Sequence, residues 1–390
     1  DRIAGVFVAT ALALAALTFV LWLGAGAGVA MEHAVALLIV TCPCALGLAT
    51  PLAVSVAIGR AARRGILIKG GDTLERLARP GTIYLDKTGT LTRGEQTVVD
   101  RIGTDDTLAR AAAVEQASAH PLARALVRAV GGPLPLAADV SEVIGAGLRG
   151  RVGGIDVAVG SPTMIGELAG LAGPLPADID QFVTRSAAAG RTPVVIAEDG
   201  QISGAVAFGD PVRSDARATV DALRADGWKV RILSGDHPAV ARAVGAELGI
   251  ASRDCLGGAS PERKLEVIRS SAERGRTVMV GDGVNDAAAL AAATAGVAVH
   301  GSAEASLTSA DVFIDRPGLA PVAELTRGAR GALRVIHRNL AFSLVYNLAG
   351  ASLAIAGLIH PLVAAVLMPL SSITVVTSSV RGHSFPRSQP

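Results

Sequence analysis

Residues 86 to 92 read DKTGTLT and follow the short apolar run TIYL, so Asp86 stands where the chain turns out of a strand. A carboxylate there can attack a phosphoryl group, provided cations suppress the repulsion between two anions. Lys87 and Lys264, the latter in SPERK, are candidates for that task. The run GDGVND supplies Asp282 and Asp286 to hold Mg2+, and Ser234 in LSGD offers a hydroxyl to a phosphate oxygen. Any one of these suits an ordinary surface turn. All of them in this order, at the ends of successive strands, point to phosphoryl transfer. A different chemistry lies upstream in LLIVTCPCALGLATPLAV, where Cys42 and Cys44 flank Pro43. Proline breaks a helix, and irregular backbone within a bilayer is tolerated only where it lines a protein-enclosed path. Thiolates on such a path prefer soft metal ions.

The elements that must position these groups follow from patterning. TIYLD, VRILSGD and TVMVGDG climb through branched apolar residues and stop at aspartate, as buried parallel strands do. Ligands bind at the carboxyl ends of such strands. The expected arrangement is an α/β domain in two parts, residues 65–95 and 205–333. Between them an α+β domain is inserted at 96–204, with hairpins at RVGGIDVAVG and VVIAEDGQISGAV. Four apolar runs, at residues 3–23, 34–58, 339–359 and 362–380, read as transmembrane helices, which puts membrane hairpins at 1–64 and 334–381 and a tail at 382–390. Arg60, Arg63, Arg64, Lys69, Arg334, Arg338, Arg381 and Arg387 flank these runs, so the ends they mark, and the long segment between the hairpins, are expected in the cytoplasm.

Composition agrees. Hydrophobic residues make up 50% of the 390 residues and charged ones 18%, too apolar for an ordinary soluble protein and too charged for one wholly in a membrane. A net charge of +2 and 3% aromatics leave no basic stacking surface, which excludes nucleic acid as a partner. Three cysteines make no disulfide framework, so reduced thiols are expected. The chain opens on Asp1 and is read as a piece of a longer polypeptide, whose N-terminal part would be a partner of this one.

With DKTGTLT, SGD, SPERK and GDGVND in this order, the sequence closely resembles the P-type ATPases, cation pumps built on the haloacid dehalogenase-like fold. The resemblance implies ATP and Mg2+ as cofactors and a catalytic set of Asp86, Lys87, Thr88, Thr90, Ser234, Gly235, Asp236, Lys264, Asn285 and Asp286. Asp86 would be the phosphorylated nucleophile, Asp86, Thr88 and Asp282 the Mg2+ site, and Lys264 the phosphoryl contact. Ser234-Gly235-Asp236 replaces the family's usual Thr-Gly-Asp and keeps the hydroxyl. Soluble phosphatases of this fold carry an acid/base aspartate where Thr88 stands, so an aspartyl phosphate should persist here. EQASAHPLARAL resembles the Ser-x-His-Pro of heavy-metal pumps, the type IB branch, and assigns Glu115, His120 and Pro121, with Gly145 and Gly147 of GAG, to ATP. Ser161 stands where many relatives have Asn.

The Cys-Pro-Cys helix marks the metal-transporting branch. Tyr346-Asn347 and Met368 with Ser371-Ser372 resemble the copper pumps' Asn-x6-Tyr-Asn and Met-x2-Ser-Ser, although Ser352 replaces a proline of that pattern. No Asp, Glu or Lys lies between Asn339 and Val380 to balance a divalent ion. The implied ion ligands are Cys42, Cys44, Tyr346, Asn347, Met368 and Ser372, and the implied function is ATP-driven export of Cu(I) or Ag(I). The expected setting is a bacterial inner membrane, with lipid around the helices and a metal chaperone or acceptor as possible partner. Zinc or cadmium export, a non-catalytic metal-binding membrane protein and a membrane-anchored phosphatase remain as alternatives. No Thr-Gly-Glu loop occurs, and in this family that loop positions the water that hydrolyses the phosphoenzyme.

Overall fold

The computed structural model describes residues 2–42, 44–143, 147–163, 165–166, 174–282, 286–301 and 308–385, with the side chains of 2–8 and 44–46 set aside. The chain forms two compact units, one of residues 1–80, 311–316 and 321–390, the other of residues 81–310 and 317–320.

In the first unit, helices α1 (Arg2–Trp22), α2 (Ala27–Val40) and α3 (Cys44–Ala62) are followed by strand β1 (Ile66–Ile68) and helix α4 (Gly71–Leu77). The run expected as one span at 34–58 is therefore two helices, α2 and α3, interrupted at Thr41–Cys42 ahead of Pro43. Proline has no backbone N–H to donate, which accounts for the break. Among the described residues, one helix is long and apolar enough to cross a membrane by length and composition, Pro361–Arg381. Other apolar stretches are shorter: Ala9–Ala25, Ala27–Val40 and Gly47–Ala62. The run expected at 339–359 belongs to a single helix of 36 residues, Ala320–Ile355. Alanines and arginines such as Arg327, Arg330 and Arg334 are good helix formers and give the backbone no reason to stop before the apolar half.

Small residues let these helices approach closely. Ala36 and Leu37 of α2 pack on Ala354, and Val40 packs with Ile359 and Ala364. Ala49 of α3 packs on Val375. The 361–381 helix thus lies against both pieces of the interrupted run. The chain after it folds back: Phe385, 1% exposed, seats on Gly328, and Arg60 donates to the carbonyls of Val380 and Gly382.

The second unit contains two sheets. Strands β2 (Thr82–Leu85), β9 (Lys229–Leu233), β10 (Cys255–Leu256), β11 (Thr277–Gly281) and β12 (Ala295–Ala298) pair in parallel, in the order β12-β11-β2-β9-β10. Every residue of β11 and β12 is buried, as expected of strands covered on both faces. The other sheet is antiparallel, in the order β3-β8-β7-β6-β5-β4, and is built from β3 (Thr97–Ile102), β4 (Ala137–Val143), β5 (Gly147–Val152), β6 (Ile155–Gly160), β7 (Thr192–Glu198) and β8 (Gln201–Gly209). It runs through Gly209, past the expected boundary at 204.

Period-two alternation gives this second sheet two faces. Val157, Val159, Ile196, Val206 and Phe208 meet α5 (Asp105–Glu115) and α6 (Pro121–Val130). Ala158, Val195, Ala197 and Ala205 meet Ile179 and Phe182 of α7 (Ala177–Ala188). Helices α8 (Ala216–Ala225), α9 (Pro238–Glu247), α10 (Pro261–Arg274) and α11 (Ala287–Ala292) accompany the parallel strands. In the first unit the series ends with β13 (Val312–Ile314), antiparallel to β1, then α12 (Ala320–Ile355) and α13 (Pro361–Arg381).

Candidate active site and nucleotide pocket

Asp86 follows β2 directly, and burial of that strand carries its carboxylate into the interior, 4% exposed. Lys264, on the first turn of α10 after the cap Ser260, reaches the same point. Its Nζ donates to Asp86 Oδ1 at 2.6 Å and to Asp286 Oδ1 at 2.7 Å. Oxygens of Asp86, Asp282 and Asp286 lie within 4.8 Å of one another. These residues, with Thr88, Gly235, Asp236 and Ala259, line a cleft of about 360 Å³ at the carboxyl ends of the parallel strands. Burial, then the charges of Asp286 and Asp282, push the Asp86 carboxyl up to about 7 although Lys264 pulls it down. Burial lowers the affinity of Lys264 for its proton, yet Asp86 and Asp286 together outweigh that and raise it above the usual lysine range. Three converging carboxylates suit a hard divalent cation such as Mg2+.

Glycines allow this crowding. Gly89, at φ +71°, brings the loop after Asp86 against Asp282, where a Cβ would come within 2.8 Å of Oδ2. Thr90 is fully buried, with its hydroxyl unpartnered among the described residues. Lys87 pairs with Asp236 at 2.8 Å, whereas Lys264 is the cation paired with Asp86. Ser234 is buried, its Oγ accepting from the Asp236 amide and lying 3.1 Å from Asp236 Oδ2. In this arrangement it orders the SGD turn, while Gly235 and Asp236 face the cleft. Asn285 lies outside the described residues.

Two residues in this region escaped the sequence reading. Asp210 accepts from Thr92 Oγ1 at 2.6 Å and from the Gly94 amide at 2.9 Å. Arg213 donates to the Thr90 and Gly89 carbonyls, both at 2.9 Å. They hold the DKTGTLT loop from the far end of the inserted domain. The only signal was GDPVR after a strand, an acid and a base around a proline.

A second pocket, about 250 Å³, opens on the antiparallel sheet. Glu115 closes α5, and His120 caps α6, its Nδ1 accepting from the Leu122 amide at 3.3 Å, while Pro121 opens that helix. Glu115, His120, Gly147, Glu142, Ser161, Leu148, Val159 and Phe208 all contribute walls. Gly147, at φ +144°, sits so close to β6 that a Cβ would strike the Val159 carbonyl. Burial, then the charge of Glu142, pushes the Glu115 carboxyl up to about 7. Gly145 lies outside the described residues.

In the helical unit, Cys42 follows α2. The side chain of Cys44 lies outside the described residues. Asn347 is buried on α12, and it shares a helix face with Gly350, which rests on Val40. Tyr346, four residues before Gly350, flanks the same stripe. On α13, Ala364, Met368, Ser371 and Val375 recur at helical spacing, and Ala364 and Val375 touch the two sides of the interruption. Met368 therefore sits level with it. Ser371 and Ser372 both donate to the Met368 carbonyl, at 2.8 and 3.5 Å. Cys255 is a free, buried thiol against Gly245, in keeping with a structural role.

Residues 81–294 match the family model described as haloacid dehalogenase-like hydrolase. The chain is 38% identical over 352 residues to a "Probable copper-exporting P-type ATPase V" of Mycobacterium tuberculosis, covering 88% of this chain and 45% of the relative. It is 40% identical over 353 residues to a "Cation-transporting P-type ATPase B" of Mycobacterium bovis, covering 87% and 46% respectively. It thus spans less than half the length of these relatives. Among solved structures, a zinc-transporting PIB-type ATPase in its E2.Pi state superposes with a TM-score of 0.85 at 30% identity, covering 98% of this chain and 63% of that one.

Proposed function

Since this chain belongs to the haloacid dehalogenase-like hydrolase family and, within it, to the heavy-metal P-type ATPases, we propose that it is the phosphorylation, nucleotide and ion-path portion of an ATP-driven soft-metal exporter, with Cu(I) or Ag(I) as cargo. One observation carries the catalytic half: a buried aspartate at a strand end, paired to a buried lysine and facing two further carboxylates. In the step this supports, Asp86 Oδ attacks the γ-phosphorus of ATP, the bond to the β,γ-bridging oxygen breaks, and ADP leaves with those electrons. Lys264 offers its charge to the phosphoryl oxygens, and the loop tied down by Asp210 and Arg213 keeps Asp86 aimed. Asp86, Asp282 and Thr88 would hold Mg2+, which offsets the charge of the incoming phosphates. With Thr88 rather than a carboxylate following the nucleophile, no general base for hydrolysing the aspartyl phosphate lies on that loop.

Cu(I) is favoured over Zn2+ by the chemistry around the interruption. Thiol, thioether, phenol and amide groups are available there, and Asn339 to Val380 bears no carboxylate. Zinc is the second reading, supported by the superposition on a zinc transporter. The setting we infer is a bacterial inner membrane with the catalytic domains in the cytoplasm, and a soluble metal donor or acceptor is a natural partner.

The test uses the full-length protein under reducing conditions. Acid-stable incorporation of γ-phosphate from ATP is expected in the parent and absent in Asp86→Asn. Cu(I) or Ag(I) is expected to stimulate turnover, and Cys42→Ser to remove the stimulation. Equal stimulation by Zn2+ would transfer the assignment to zinc.

A further inference from the structure

At the end of the helical unit away from Arg60 and Arg334, an imidazole and an indole meet outside the ligand set assigned to the cargo. His33, on α2, lies with its ring centroid 4.4 Å from that of Trp22, the last residue of α1, at an interplanar angle of 58°. The indole is fixed by its Nε1, which donates to the Ile355 carbonyl at 2.9 Å. Gly357, at φ +72° between α12 and α13, admits both rings: a Cβ there would come within 2.7 Å of Trp22 Cζ2 and 3.0 Å of His33 Nε2. The other ring nitrogen, His33 Nδ1, is buried and has no hydrogen-bond partner among the described residues. Leaving a buried polar atom unpaired is costly, so such an atom calls for a ligand. Between Asp1 and Asp72 the sequence holds one acid, Glu32, the exposed neighbour of His33. Its charge favours cations at this end of the helices.

We propose that His33 and Trp22 form a release-side binding step for a soft monovalent cation, with His33 Nδ1 as the ligand and the Trp22 indole as a cation–π contact. The proposal rests on the soft-metal reading above. His33, Leu37 and Val40 recur at helical spacing along α2, with Leu37 packed on Ala354 and Val40 on Gly350. The pair thus lies on the α2–α12 seam that leads to the interruption at Thr41–Cys42, roughly 10 Å along the helix from Val40. With the arginine-flanked ends in the cytoplasm, as inferred above, this end is on the exporting side. A neutral imidazole nitrogen ligates copper-type ions. An ion held there is within reach of the indole, whose centroid is 4.4 Å from that of the imidazole, and an aromatic ring attracts a cation through its quadrupole. One imidazole and one indole bind such an ion less firmly than paired thiolates do. A conducting path needs sites that an ion can leave as well as enter.

The experiment titrates Ag(I) into the full-length protein carrying Cys42→Ser and Cys44→Ser, in chloride-free buffer, and reads tryptophan emission. The contribution of Trp22 is the part of the signal lost in Trp22→Phe. Saturable quenching of that part is expected, because quenching by a heavy ion requires contact with the indole. His33→Gln, close in size and polarity, abolishes the quench, and His33→Cys, which returns a soft ligand, restores it. A Trp22 signal that Ag(I) does not quench, or a quench unchanged in His33→Gln, would overturn the proposal. So would a quench lost in both His33→Gln and His33→Cys, since the effect would then trace to packing. A quench seen only while Cys42 and Cys44 are present would place the ion at the interruption and overturn it equally. If the expected pattern holds but Ag(I) does not stimulate turnover of the parent, the site stands and the export reading fails, so the two failures are told apart.

Discussion

Lys264 and Asp86 form a buried ion pair, Nζ to Oδ1 2.6 Å, with side chains 7% and 6% exposed. Asp286, 2.7 Å from the same nitrogen, makes the lysine the single bridge between two acids. Removing one partner of such a set leaves uncompensated buried charge. Lys264→Met should therefore lower unfolding free energy by about 3–5 kcal/mol at neutral pH. Added Mg2+ should restore part of the loss, since a divalent ion can replace the missing charge. Thermal unfolding with and without Mg2+ measures both, and a variant as stable as the parent without Mg2+ would contradict the arrangement.

Asp86 carries a proton-linked stability cost. Its folded carboxyl titrates at about 7 against 3.8 for the ordinary group, so the folded state holds a proton that the unfolded state has released between those values. Stability falls with rising pH wherever the folded state binds more protons. Without Mg2+, the Asp86 contribution is thus fully favourable below about pH 4 and is lost as pH rises through 7. Asp86→Asn removes this dependence, so its melting temperature relative to the parent should climb from pH 5 to pH 8. A constant difference across that range would refute the linkage.

Arg213 fixes two carbonyls of the nucleophile loop, and bonds from a charged donor are worth about 1.5–3 kcal/mol each. Arg213→Gln should cost about 2–3 kcal/mol of stability. It should also slow phosphoenzyme formation while leaving ATP affinity near the parent value, because the nucleotide pocket is untouched. Rapid-quench labelling beside calorimetry separates the two effects.

Much of this site was legible because its signals are local. TIYLD, VRILSGD and TVMVGDG each announce a buried strand and its terminal acid within a few residues, and β2, β9 and β11 formed where those runs lie. The roles of Lys87 and Arg213 were not legible. Which of two lysines meets Asp86 depends on how α10 approaches β2, and Arg213 matters only because β8 returns beside the nucleophile loop. Glu142 was hidden differently, since an acid on a strand reads as a solvated face until a helix end is packed beside it. The long α12 is not legible because charge, rather than any backbone signal, marks where its apolar half begins.

Gly147 offers a separate check on the nucleotide pocket. Its φ of +144° and its contact with the Val159 carbonyl exclude any side chain. Gly147→Ala should destabilise the protein by about 1–3 kcal/mol and weaken ATP binding, because β5 must shift away from β6. Unchanged ATP affinity with a lowered melting temperature would place the adenosine elsewhere.

Arg60 lies near the end of α3, the helix that begins at Cys44, and is fastened to the carbonyls of Val380 and Gly382 while Phe385 is pressed onto Gly328. The segment closing α13 is therefore a latch across three helices. About 24 Å of α3 separates Arg60 from Cys44, at 1.5 Å per residue. Rotation of α3 about its axis would pull on this latch before it reached the thiols. Clipping the chain after Arg381 would remove Gly382 and Phe385 from the fastening and leave α3 freer to turn, a mechanical change at the helix that begins at Cys44 produced without altering either cysteine of the Cys-Pro-Cys run.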